Sequence, residues 1–213
     1  MGLLDRLSVR KSETSVPTHA AAPPGVHPTK ALRKFLASLT AREGPALLDL
    51  GPVVGANVSF FGEQLGCRIR VEDIYSEIDR HAREETLDTL PEYLARRFPQ
   101  EDASIDGILC WDVFDFLPRA AAKTLAAQLV RVLRPEGALL ALFSMAPSHE
   151  APRYTKYIIR DDTHLLYRPY DATRCRRTVL LNRDIIRLFD GLQVADSFLL
   201  QNKIREILFR KPA

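Results

Sequence analysis

Apolar positions along the chain fall into short unbroken runs separated by stretches of helical period. From Thr29 the stretch ALRKFLASL sets Leu32, Phe35, Leu36 and Leu39 on one face, predicting a helix to about Thr40. PALLDLG is an apolar run closed by glycine, the pattern of a strand buried on both faces of a parallel sheet. ANVSFFGEQLG then reads as a helix ended by Gly66, and CRIRVEDIY as a second strand. SEIDRHAREETLDTLPEYLARRF is charged and helical, with a break at Pro91, and SIDGILCWDVF is another buried strand. AAAKTLAAQLVRVL stacks Leu125, Leu129, Val132 and Leu133 as a helix that RPEG terminates, before the strand GALLALFSM. After a polar, aromatic segment (146–177), Asn182 is expected to cap the helix RDIIRLFDG, which Gly191 ends. LQVADSFLL and KIREILFRK, around the turn QN, close the chain as an antiparallel hairpin.

Strands alternating with helices describe a doubly wound, mostly parallel α/β sheet. Such a sheet takes ligands beyond the carboxyl ends of its strands, where the strand order switches. Residues 1–28, rich in Ser, Thr, Ala, Pro and Gly over their second half, are expected to be a flexible arm. The α/β domain is then 29–213, with 146–177 as a lid or insertion over its site.

Composition narrows the function classes. The 213 residues are 46% apolar and 27% charged, enough for a sizeable core. No apolar run approaches a membrane span, and MGLLDRLSVRKSET lacks a signal peptide's apolar region. Cys67, Cys110 and Cys175 lie far apart with no CxxC, as reduced thiols of a cytoplasmic protein. Net charge is only +3 but uneven: 71–106 hold eleven acids against four arginines, and 150–213 hold thirteen Lys or Arg against eight acids. Solvated faces are the expected reading, so a nucleic-acid partner is not implied. There is no P-loop, no HExxH, no G-x-S-x-G and no histidine cluster for a metal.

The chemistry concentrates after the first strand of the alternation. Asp49-Leu50-Gly51-Pro52-Val53-Val54-Gly55 is a turn whose glycines let the backbone approach a ligand. The second strand ends in Glu72-Asp73, where an acid can accept both hydroxyls of a ribose. A dinucleotide fingerprint G-x-G-x-x-G starting at Gly51 fails at Val53, which disfavours a nicotinamide cofactor. The turn instead resembles the first motif, D-x-G-x-G-x-G, of the class I S-adenosylmethionine-dependent methyltransferases, in a divergent form of their type 11 group; Asp49, Gly51 and Gly55 match it. GCRIRVEDIY, SIDGILCWDVFDFLP and LVRVLRPEGALLALFS are similar to that family's second strand, fourth strand and fifth-strand approach, over about residues 44–145.

The resemblance implies a seven-stranded Rossmann-like sheet and S-adenosylmethionine as cofactor. It places Asp49 near the amino group of the methionine portion and the backbones of Gly51, Pro52 and Gly55 along the cofactor. Glu72 or Asp73 would hold the ribose, and Trp111 and Asp112 would lie near the reacting methyl. Val53 stands where the family has its central glycine and Glu136 where it has the first glycine before strand five; no third strand is visible, and Asp102 is the nearest candidate for an adenine-side acid. His149 is the candidate base, Tyr154, Tyr157, Tyr167 and Tyr170 either wall a substrate pocket or pack the covering segment, and Arg174, Arg176 and Arg177 suit an acidic substrate. The implied activity is methyl transfer to a small molecule, against a non-catalytic scaffold of the same fold, whose partner the N-terminal arm could reach, and an RNA methyltransferase.

Overall fold

The computed structural model describes residues 25–145, 153–172 and 178–213. In chain order the elements are β1 (Val26–Pro28), α1 (Leu32–Thr40), β2 (Ala46–Asp49), α2 (Gly55–Ser59, continued by a π-helical turn to Gln64), β3 (Arg68–Val71), α3 (Ile74–Arg83) and α4 (Leu90–Arg97). They continue as β4 (Ile105–Trp111), a 3-10 turn (Val113–Phe116), α5 (Arg119–Val132), β5 (Leu133–Ser144), β6 (Arg153–Asp161), β7 (His164–Asp171), α6 (Asn182–Leu188), β8 (Gln193–Leu199) and β9 (Ile204–Arg210).

The main sheet has the order β3-β2-β4-β5-β9-β8. Its first four strands are parallel, and β9 and β8 run antiparallel as the closing hairpin. The expected doubly wound architecture is present, with six strands among the described residues in place of the expected seven. Between β3 and β4 the chain forms only the helices α3 and α4, with Pro91 in the first turn of α4. That stretch has dense charge and a helical period, and lacks the apolar alternation an edge strand needs.

One face of the sheet is covered by α3, α4, α5 and α6, and the other by α1, the π-helical turn and a second, three-stranded sheet. That small sheet, of order β1-β7-β6, is antiparallel. It corrects the reading of residues 26–28 as arm: Val26 is buried and pairs with Leu166, and Tyr167 N–H donates to the Gly25 carbonyl at 2.7 Å. Residues 1–24 lie outside the described residues.

Two close approaches set the α1 side. A Cβ on Gly107 would come within 2.6 Å of Leu39, so glycine lets α1 lie directly on β4. Buried Glu206 of β9 accepts the Lys30 and Ala31 amides at 2.8 and 2.9 Å, satisfying donors at the start of α1 with a residue 175 positions away. Asn182, expected to cap α6, is instead its first residue; Leu181 precedes it in extended backbone and no side chain caps the helix. Glu136 adopts a φ of +62°, the glycine-like conformation, so this turn keeps its shape without the family's glycine.

Candidate active site

From β2 the chain crosses to one side to make β3, then returns to the other side to make β4. A crevice therefore opens at the carboxyl ends of β2 and β4. Backbone bonds gather the three loops there: Glu72 N–H donates to the Asp49 carbonyl, Ile74 N–H to Leu50, and Leu50 N–H to Leu109. Asp49, Gly51, Pro52, Gly55, Glu72, Asp73, Trp111 and Asp112 all end up around this crevice. His149 and the three arginines between 173 and 177 lie outside the described residues.

Asp49 is the hub. It is buried, and its Oδ1 accepts both the Gly51 amide, at 2.9 Å, and the Trp111 indole N–H, at 2.6 Å. Burial pushes its carboxyl up to about 6, opposed by these two hydrogen bonds. The Trp111 ring lies against Gly51: a Cβ there would be 2.7 Å from indole Cδ1 and 2.8 Å from Nε1. Its other face stacks on Tyr157 of β6, with centroids 5.2 Å apart and planes within 7°. Trp111 has a φ of +49°, in the left-handed region that a bulky residue rarely visits, beside a register shift between β4 and β5. Tyr154 and Tyr157 are thus both buried and packed, Tyr154 against Tyr75 and Phe116.

The acids of the crevice are all engaged by the protein. Both oxygens of buried Glu72 are held by guanidinium groups, Arg70 at 2.5 Å and Arg97 of α4 at 2.7 Å. Asp73 caps α3, accepting the Ser76 amide at 3.1 Å and its hydroxyl at 2.5 Å. Asp112 accepts the Tyr75 hydroxyl at 2.5 Å, and burial beside this carboxylate holds the Tyr75 phenol well above its usual range, so it stays a donor. Asp115 accepts the Ser144 amide at 2.8 Å, tying the 3-10 turn to the end of β5. Asp102 is corrected: it precedes β4, at the opposite end of the sheet, and is an exposed partner of Arg131 at 2.7 Å.

Asn57 is the site residue that sequence reading missed. Buried in α2, it donates from Nδ2 to the Tyr157 carbonyl at 2.8 Å and accepts the Ile159 amide at Oδ1 at 2.9 Å. It thereby clamps β6, and with it Tyr157, to the helix that follows the glycine turn. The sequence held one hint: Asn57 precedes buried Phe61 by four, on the inward face of the helix. Asn57→Ala leaves two buried backbone groups unpaired and is expected to cost about 2 kcal/mol, read by urea unfolding. A loss below about 0.5 kcal/mol would show that water replaces the amide.

The space in front of Gly51 holds the indole, and Glu72 is neutralised by two arginines. A donor lying along Gly51 therefore requires the Trp111 ring to move. Gly55, by contrast, faces open space, and Val53 points outward with 67% of its surface exposed. Val53 therefore does not fill the space before Gly51; Trp111 does.

Residues 48–141 match the family model described as methyltransferase domain. No curated protein matches the chain. Among solved structures, similar folds include the 1,6-didemethyltoxoflavin-N1-methyltransferase of Burkholderia thailandensis, with bound 1,6-didemethyltoxoflavin and S-adenosylhomocysteine: 17% identity, 86% of this chain and 79% of that one, TM-score 0.50. The PH0226 protein of Pyrococcus horikoshii OT3 gives 18% identity over 86% and 92%, TM-score 0.51. The [4+2]-cyclase SpnF gives 12% identity over 85% and 80%, TM-score 0.52. At these identities the likeness is one of fold.

Proposed function

We infer, for a chain whose residues 48–141 match the methyltransferase-domain family model, that it transfers a methyl group from S-adenosylmethionine to a small-molecule acceptor. The observation that carries this reading is the convergence of Asp49, Gly51, Gly55, Glu72 and Asp112 at the switch point between β2 and β4. When bound, the donor supplies a methyl already activated on a sulfonium, so the protein's task is chiefly to position the reactants. On this reading donor binding moves the Trp111 ring off Gly51, and Asp49, released from the indole, faces the emptied space. Among the described residues no three His, Cys, Asp or Glu are grouped to hold a metal, and no helix is long and apolar enough to cross a membrane.

A second reading is favoured by the same indole and by the Arg70–Glu72–Arg97 cluster: a relative that keeps the fold and has closed its donor seat for good. That the fold also serves a [4+2]-cyclase shows how far its chemistry ranges. Calorimetric titration with S-adenosylmethionine and S-adenosylhomocysteine, with NADH as control, separates the two. Micromolar binding of the first two only is expected. A folded protein that releases no heat with either, with Trp111 intact or truncated, abolishes the methyl-transfer reading and leaves the scaffold.

A further inference from the structure

On the side of the sheet away from Trp111, α5 and α6 enclose a cleft of about 710 Å³, within the range of small-molecule sites. Among the described residues its apolar lining comes from Leu117, Ala122, Val179, Leu180 and Leu188, and its charged lining from Arg119, Lys123, Arg183 and Arg187 against the single acid Asp184. The four cations are arranged as two pairs, Arg119 with Lys123 on α5 and Arg183 with Arg187 on α6, each at i,i+4. Like charges at that spacing repel, costing a few tenths of a kcal/mol per pair. Elsewhere this chain does the opposite: on α3, Arg80 is flanked by Glu77 and Glu84, and Arg83 by Asp79. Among the described residues Arg119, Lys123 and Arg187 have no carboxylate within ion-pair distance, and Arg183 reaches only its neighbour Asp184, at 4.0 Å. Two helices thus aim unneutralised positive charge across one apolar cleft.

We propose that this cleft binds a small anionic amphiphile, with a phosphate or carboxylate held by the cation pairs and an apolar body laid between α5 and α6. The occupant's chemistry follows from the lining: a bare anion would leave the apolar floor wet, and a neutral hydrocarbon would leave four cations facing it. The chain's own first 24 residues fit poorly, carrying Arg6, Arg10 and Lys11 against Asp5 and Glu13. The cleft is coupled to the crevice: Leu117 and Pro118 follow the turn that begins after Asp112, and Thr178 N–H donates to the Asp115 carbonyl at 2.6 Å. An occupant of the cleft therefore lies against the turn that borders the crevice.

The test is calorimetry on the full chain with decyl phosphate, decanol and inorganic phosphate. Decyl phosphate is expected to bind at least tenfold more tightly than either of the others. Arg183→Glu combined with Arg187→Glu, at two exposed positions, is expected to weaken it at least tenfold while the circular dichroism and S-adenosylhomocysteine affinity stay as in the wild type. Equal binding of decanol, indifference to the double substitution, or stronger binding of a 12-nucleotide RNA that displaces decyl phosphate each overturns the proposal. Because decyl phosphate binding is read without any donor, it stands or falls separately from the methyl-transfer reading.

Discussion

Trp111→Ala is expected to bind S-adenosylhomocysteine about thirtyfold more tightly than the wild type. A ligand whose seat is already occupied must first displace the occupant, and its apparent affinity drops by the fraction of molecules that are open. Here the occupant is held by an indole N–H to a buried carboxylate at 2.6 Å and by a stack on Tyr157. The left-handed backbone of Trp111 works against closure by about 1 kcal/mol, leaving a net of about 2 kcal/mol, which is about thirtyfold in affinity. Trp111→Phe, which keeps most of the bulk and loses the N–H, should fall between the two. Truncation also opens a cavity that costs about 3 kcal/mol, so each variant is checked by thermal melting before titration. Trp111 is the chain's one tryptophan, so the untouched protein offers a second readout: its emission should shift to the red as the ligand drives the ring out. Equal or weaker binding by Trp111→Ala, with an unmoved spectrum, would make the ring a wall of the site and end the competition idea.

The second large effect is on stability against pH. Burial holds the Asp49 carboxyl at about 6 in the folded chain, above its ordinary value near 4. An acid raised on folding is a proton bound by the native state and not by the unfolded one, between about pH 4 and pH 6. Stability contributed by the group is therefore whole below pH 4, declines as pH rises through that window and is lost above it. The full difference is about 3 kcal/mol. Asp49→Asn keeps an acceptor for Gly51 and Trp111 and removes the ionisation. Urea unfolding from pH 4 to pH 8 should show the variant level with the wild type at pH 4 and up to 3 kcal/mol more stable at pH 7. Parallel curves across that range would mean that water reaches the carboxylate and that its burial is incomplete.

What the sequence made legible was local. β2 and β4 are largely apolar because they are covered on both faces, edge strand β3 alternates Arg with Ile and Val, and Asp49, Glu72 and Trp111 mark strand ends directly. The absent seventh strand was readable too, in the charged helical period around Pro91. The partners of those residues were not readable, because each comes from a distant element. Arg97 reaches Glu72 from α4, Tyr157 stacks on Trp111 from β6, and Asn57 holds β6 from α2. Val53 stands out in the sequence as a missing glycine, whereas the ring that lies over Gly51 sits 58 positions later. Spacing within a motif shows which backbone turns tightly; it carries no information on which ring will fill the space.

The Asn57 clamp has a consequence for how the chain is made. Its two partners, Tyr157 and Ile159, are synthesised about a hundred residues after it, and Glu206, which satisfies the start of α1, later still. A nascent chain that has already emitted the whole of 48–141 still has an unanchored α2, an unstacked Trp111 and an uncapped α1. Ribosome-bound intermediates of that length should therefore be sensitive to proteases and exposed to chaperones until the β6–β7 hairpin and the last strand emerge. Residues 48–141 are therefore not a unit that can be excised, and the crevice is completed only once β6 and β7 have been made.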